Sequence, residues 1–216
     1  MRIPIEAGNT TVVPDNSVAA KRPLWVRIAH WLIAFAVIIM MFSGWAIYNA
    51  SPIFPGFTFP AQLTLGGWLG GALQWHFAAM WLVFCCGITY LFLNLITLRL
   101  FRQFFPLSAK TFARDLGAAF RGKLAHDASG AYNAVQKAAY LAVCVALIVV
   151  VLSGLAIWKP VQLAPLRELM GGYDTARVVH FGAMAFIAAF LIVHIVMVAL
   201  VPRSLIAMVT TPKKKK

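Results

Sequence analysis

From Ile28 to Leu98 the chain carries no Lys, Arg, Asp or Glu. A soluble core cannot hide an uncharged run of that length, whereas the hydrocarbon of a bilayer requires one. The rest of the 216 residues agrees: 62% are apolar and only 12% charged, against roughly half apolar and a quarter charged in soluble domains. A membrane-crossing helix needs about 20 largely apolar residues. Four segments reach that length, near Ile28–Tyr48, Leu73–Leu98, Ala138–Trp158 and Val178–Val201. Pro23 suits the first turn of the first span, Asp174 is placed to cap the fourth, and Pro202 to stop it. The first two dozen residues contain Pro4, Pro14, Asp15, Lys21 and Arg22 and no apolar signal core. The expectation is therefore no cleaved secretion signal, with the first span retained. The expected fold is all-α, an integral membrane four-helix bundle over residues 23–203, between an N-terminal segment 1–22 and a basic tail 204–216.

The formal charge of +13 would fit a nucleic-acid partner only if a basic folded domain were present, and none is. Its distribution fits membrane topology instead, because basic residues collect in cytoplasmic loops. Sixteen Lys and Arg fall before the first span, between spans two and three, or after the fourth. Only Lys159, Arg167 and Arg177 fall on the other side. Both termini and the middle connection are thus expected in the cytoplasm. The run Lys213–Lys216 reads as a solvated tail able to touch anionic lipid. The first outer connection, Asn49–Gly71, is uncharged and rich in Gly and Pro. In the middle connection Phe112, Leu116, Phe120 and Leu124 recur every four residues among Lys110, Arg114, Arg121 and Lys123. That pattern reads equally as a short interfacial helix or as a polar loop. Cys85, Cys86 and Cys144 lie in apolar stretches and form no Cys-x-x-Cys-His, zinc or iron–sulfur pattern, so they read as small buried apolar residues and covalent haem attachment is not expected.

The histidines carry the chemistry. His30 lies in span one, His76 in span two, His180 and His194 in span four, and His126 in the middle connection. Ionisable groups inside a membrane are costly and functional by default. Fourteen residues separate His180 from His194, which is about 21 Å of helix and brings both rings to within roughly 40° of one direction. The alternating direction of the spans sets depth: His180 and His76 are outer, His194 and His30 inner. Depth therefore permits two pairs, His30 with His194 and His76 with His180. Two histidines facing across a bundle suit a six-coordinate haem iron, whereas zinc or copper would want a third or fourth ligand close by. The reading is two non-covalent, bis-histidine b-type haems, one above the other. Arg27 and Arg177 each precede a histidine by three residues, on the same face. Each suits either a haem propionate or ordinary interfacial snorkelling. Ser43-Gly44-Trp45-Ala46-Ile47-Tyr48 is echoed by Ser153-Gly154-Leu155-Ala156-Ile157-Trp158. Gly44 and Gly154 serve either close helix packing or the approach of a flat ligand.

Arg27-Ile28-Ala29-His30-Trp31 followed by Ser43-Gly44 resembles the first span of bacterial two-haem cytochrome b subunits. That grouping spans cytochrome b561, the nickel-hydrogenase cytochrome b and the gamma subunit of membrane formate dehydrogenase. His180 and His194 match its paired ligands on the fourth helix, and Tyr132-Asn133-Ala134-Val135-Gln136-Lys137 resembles the segment beside its quinone. The resemblance covers roughly residues 22–203. It implies a multi-pass protein of the bacterial inner membrane that anchors an extracytoplasmic redox subunit and exchanges electrons with the quinone pool. Quinone would sit by the inner haem near Asn133 and Gln136, which taken alone read as polar residues at a helix start. The Pro-rich outer loop and Trp158-Lys159-Pro160 resemble subunits that accompany molybdenum enzymes, the leading option for the partner ahead of a hydrogenase. No catalytic acid–base pair is present. The alternatives are a stand-alone superoxide:quinone oxidoreductase, needing a positive outer pocket built from Lys159, Arg167 and Arg177, and a haem-free anchor or transporter.

Overall fold

The computed structural model describes residues 23–96 and 134–200, together with positions 111, 113, 114, 117, 205, 208 and 209. Five α-helices organise residues 23–96 and 134–200, with one 3-10 turn at Ala61–Leu63: α1 (Leu24–Ala50), α2 (Leu69–Ile96), α3 (Ala134–Trp158), the short α4 (Ala164–Leu169) and α5 (Tyr173–Leu200). Four of these, all but α4, are long and apolar enough to cross a membrane. Each extends about a turn beyond the expected span at one end or both, because helix continues past the hydrocarbon into the interface. Two details differ from expectation. Pro23 precedes α1 as its N-cap rather than opening the first turn. Asp174 lies inside the first turn of α5 and does not cap it. The chain turns into α5 through Gly171 and Gly172, whose φ angles of +82° and +96° suit glycine. Asp174 instead sets a negative charge at the positive end of the helix dipole. The expected interfacial helix falls mostly outside the described residues, as do His126 and the lysine tail.

Large apolar side chains face outward: Phe35, Ile96, Ile148, Ile192 and Leu200 are all more than half exposed. In water that would be prohibitive, but lipid tails are as apolar as the side chains themselves. Most buried positions are small, among them Ala36, Ala72, Ala146, Ala156, Ala176, Ser43 and Ser153, with Tyr48 and Ile187 the large exceptions. Small residues let backbones approach closely, the usual basis of helix association in a bilayer. Close packing runs within two antiparallel pairs, α1 with α2 and α3 with α5, and is sparse between the pairs. Two hairpins thus stand side by side with their backbones held apart.

An aromatic cluster closes one end. The Asn49 side chain donates to the Phe59 carbonyl at 2.8 Å and accepts from the Phe59 N–H at 2.9 Å. This pins the 51–68 connection over α1. Trp45 then stacks on Phe59 at 4.7 Å and 7°, and Tyr48 and Phe54 pack on Phe181 of α5. At Gly66, where the connection enters α2, a Cβ would lie 2.3 Å from the Ala72 nitrogen, so no larger residue fits that turn.

Candidate functional site

The sparse seam between the hairpins is bridged by four histidine rings. His30 of α1 and His194 of α5 stand with ring centroids 6.2 Å apart, and His76 of α2 and His180 of α5 stand 6.4 Å apart. These are the two pairs that depth along the sequence permits. A metal–imidazole bond of about 2 Å plus roughly 1 Å from nitrogen to ring centre places two trans ligands about 6 Å apart between centroids. Both separations meet that span. Among the described residues no cluster of three or more His, Cys, Asp or Glu forms, so neither pair has the third ligand that zinc normally takes. A six-coordinate haem iron needs only the two, and the residues present fit it.

The echoed Ser-Gly motifs build the second layer of one pair. The Nδ1 of His76 lies 3.1 Å from the Met40 carbonyl and 3.1 Å from Ser43 Oγ. A carbonyl only accepts, so Nδ1 carries the proton and the Nε2 lone pair is left for a metal. Ser43 gives its own proton to the Ile39 carbonyl at 2.7 Å, which turns its oxygen into an acceptor for the ring. The second hairpin repeats the device. Ser153 donates to the Val149 carbonyl at 2.6 Å, and His180 Nδ1 lies 3.1 Å from its Oγ. A Cβ at Gly44 would sit 3.5 Å from His76 Cε1, and one at Gly154 3.1 Å from His180 Cε1. The glycines thus make room for the imidazoles themselves. The serines were not singled out from sequence, although their repetition beside the glycines was the available signal.

His194 stacks on Phe190 at 5.9 Å and 13°, and His30 meets Trp31 edge-on at 5.6 Å. The two arginines are engaged with backbone. Arg27 Nε donates to the Met208 carbonyl at 3.0 Å and its Nη2 to the Val209 carbonyl. Arg177 donates to the Ser51 carbonyl, and to Ser51 Oγ at 3.2 Å, with Asp174 3.9 Å away. They tie the C-terminal segment and the 51–68 connection to the bundle beside the two histidine pairs. Of the remaining cations at the aromatic end, Arg167 is paired with Glu168 at 2.6 Å and Lys159 lies over Trp158. All three cations of the positive pocket imagined for superoxide are therefore engaged. Gln136 lies in the first turn of α3, and Asn133 falls outside the described residues.

Comparison with known proteins gives the family. The prokaryotic cytochrome b561 family matches over residues 21–211. The chain belongs to that family. It is 56% identical over 195 residues, 90% of this chain and 98% of the relative, to a protein of Azospira oryzae described as a putative protein-methionine-sulfoxide reductase subunit, YedZ1. No solved structure matches it. As a prokaryotic cytochrome b561 the chain is a multi-pass protein of the bacterial inner membrane, binds b-type haem, and serves as a membrane electron-transfer subunit.

Proposed function

We propose that this cytochrome b561 holds two haems, an outer one on His76 and His180 and an inner one on His30 and His194, and links an extracytoplasmic oxidoreductase to the membrane quinone pool. The observation that carries the reading is the pair of ring separations, 6.2 and 6.4 Å, at two depths of one helix. Held by two histidines, haem would supply one-electron carriage. The protein's part is to hold the ligands. Ser43, Ser153 and the Met40 carbonyl fix the Nδ1 protons, and with them the orientation of the His76 and His180 rings. Arg27 and Arg177, anchored one at each end, would share their guanidinium protons with the propionates. The topology supporting the reading has both termini in the cytoplasm, from the sixteen-to-three division of basic residues.

On this reading quinone would exchange electrons at the inner haem, with Asn133 and Gln136, the residues the family resemblance implies, offering amides to its carbonyls. The partner is a molybdenum enzyme. The name of the Azospira oryzae relative favours one that reduces methionine sulfoxide in proteins. Purified protein should carry two non-covalent haems per chain, with His76→Ala or His180→Ala losing only the outer one. A single haem per chain, or unaltered spectra in either variant, would refute the pairing. Co-purification of a molybdenum protein from native membranes tests the partner.

A further inference from the structure

The Ser-Gly echo is part of a larger internal repeat that relates α1–α2 to α3–α5. Ser43 and Gly44 hold His76 as Ser153 and Gly154 hold His180, contact for contact. Extended along the helices, this correspondence reaches the opposite end of the bundle. His30 precedes Gly44 by fourteen residues, and Tyr140 precedes Gly154 by fourteen. His194 follows His180 by fourteen, and Tyr90 follows His76 by fourteen. Fourteen residues are about 21 Å of helix with nearly the same facing, so His30, Tyr90, Tyr140 and His194 form one layer. The repeat exchanges α1 with α3 and α2 with α5. It therefore carries the His30–His194 pair onto Tyr140 and Tyr90. One half of the layer offers two imidazoles; its counterpart offers two phenols.

We propose that the Tyr90–Tyr140 half of this layer is where the quinone headgroup binds, each phenol hydrogen-bonding one carbonyl. This rests on the proposed exchange of electrons with quinone at the inner haem and assigns it a location. A headgroup is flat, as a haem is, but carries two opposed carbonyl acceptors rather than a metal, and a phenol is a donor to a carbonyl where an imidazole is a ligand to iron. Two further observations point the same way. Tyr140 stands one turn beyond Gln136 on the same face of α3. Its ring also lies 6.5 Å from Phe190, which stacks in turn on His194 at 5.9 Å, so a single aromatic ring separates it from the inner pair. Tyr90 packs on Trp25 of α1 at 5.9 Å. Interconversion of quinone and quinol moves two electrons and two protons. Haem held by His30 and His194 would take up or supply those electrons one at a time, and the protons would exchange with water at the same end of the bundle.

The test uses the holoprotein in detergent and equilibrium binding of a short-chain benzoquinone, ubiquinone-1, alongside haem content. Tyr90→Phe and Tyr140→Phe retain the rings and remove only the hydroxyls. Each should weaken binding about fivefold, the usual consequence of losing one hydrogen bond, with two haems per chain and unchanged haem spectra. Gln136→Leu serves as the comparison. If it weakens binding while both tyrosine variants bind as the parent does, the tyrosine site is refuted and the quinone reading stands. If all three bind as the parent does, both fall. A third haem that disappears in Tyr140→Phe would also overturn the proposal, since the phenols would then be ligands.

Discussion

Gly154→Ala and Gly44→Ala make the same change at two positions the internal repeat treats alike, yet the structure assigns them different outcomes. A Cβ at Gly154 lies 3.1 Å from His180 Cε1 and 3.4 Å from Nδ1; at Gly44 the corresponding distances to His76 are 3.5 and 3.7 Å. The second is ordinary van der Waals contact, so Gly44→Ala keeps the helix-propensity gain of about 0.8–1 kcal/mol. At Gly154 the ring must retreat by a few tenths of an ångström. It is tied through Nδ1 to Ser153 Oγ at 3.1 Å and would be held through Nε2 by iron, so the strain falls on the ligand bond. Overpacking of this kind costs about 1–3 kcal/mol. Set against the propensity gain, the net for Gly154→Ala is a loss of up to about 2 kcal/mol. Concentrated on ligation, a loss of about 1.4 kcal/mol is tenfold in haem affinity. Haem retention during detergent purification and the low-spin ferric EPR signal measure the effect. Gly154→Ala should lose or distort the outer haem, while Gly44→Ala keeps it and melts at the parent temperature or above. Equal behaviour of the two alanines, in either direction, would refute the reasoning.

Ser153→Ala removes the hydroxyl acceptor from His180 Nδ1 and leaves it only the Val150 carbonyl. A hydrogen-bonded imidazole is the more basic ligand and favours ferric iron, so the outer haem potential should rise, by about 40 mV for a bond of about 1 kcal/mol, as read by redox titration; no shift would remove the serine from the ligand's second layer. Cysteines engineered at 52–66 or 160–172 should react with an impermeant maleimide in spheroplasts, and those at 105–130 should not. Labelling of the middle connection would invert the topology. Arg177→Ala releases the Ser51 contacts and should speed proteolysis of the 51–68 connection while leaving α5 intact; an unchanged cleavage rate would show that the aromatic cluster alone holds that connection.

Much of the site was legible because helices convert sequence distance into depth. The spacing of His180 and His194, and the direction of each span, were enough to pair four histidines by level, and the structure brings those same rings together. The roles of Ser43 and Ser153 were not legible. A serine one residue before a glycine in an apolar helix reads as packing until a ring from another helix is seen against it. Arg27 shows the same limit: its spacing to His30 was visible, but its hold on Met208 and Val209 joins positions at opposite ends of the chain.

The amino-acid sequence by itself determined the four spans, their expected direction and the relative level of the four span histidines, since hydropathy, charge bias and helical rise act locally along the chain. Tertiary structure decided the azimuth. Rise per residue says how deep a ring lies, whereas which ring it meets depends on how each helix is rotated against its neighbours. That rotation is set by the small residues buried within each hairpin, among them Ala36, Ser43, Ala72, Ser153, Ala156 and Ala176. Their close packing pairs α1 with α2 and α3 with α5, and leaves between the hairpins the seam that the histidines bridge.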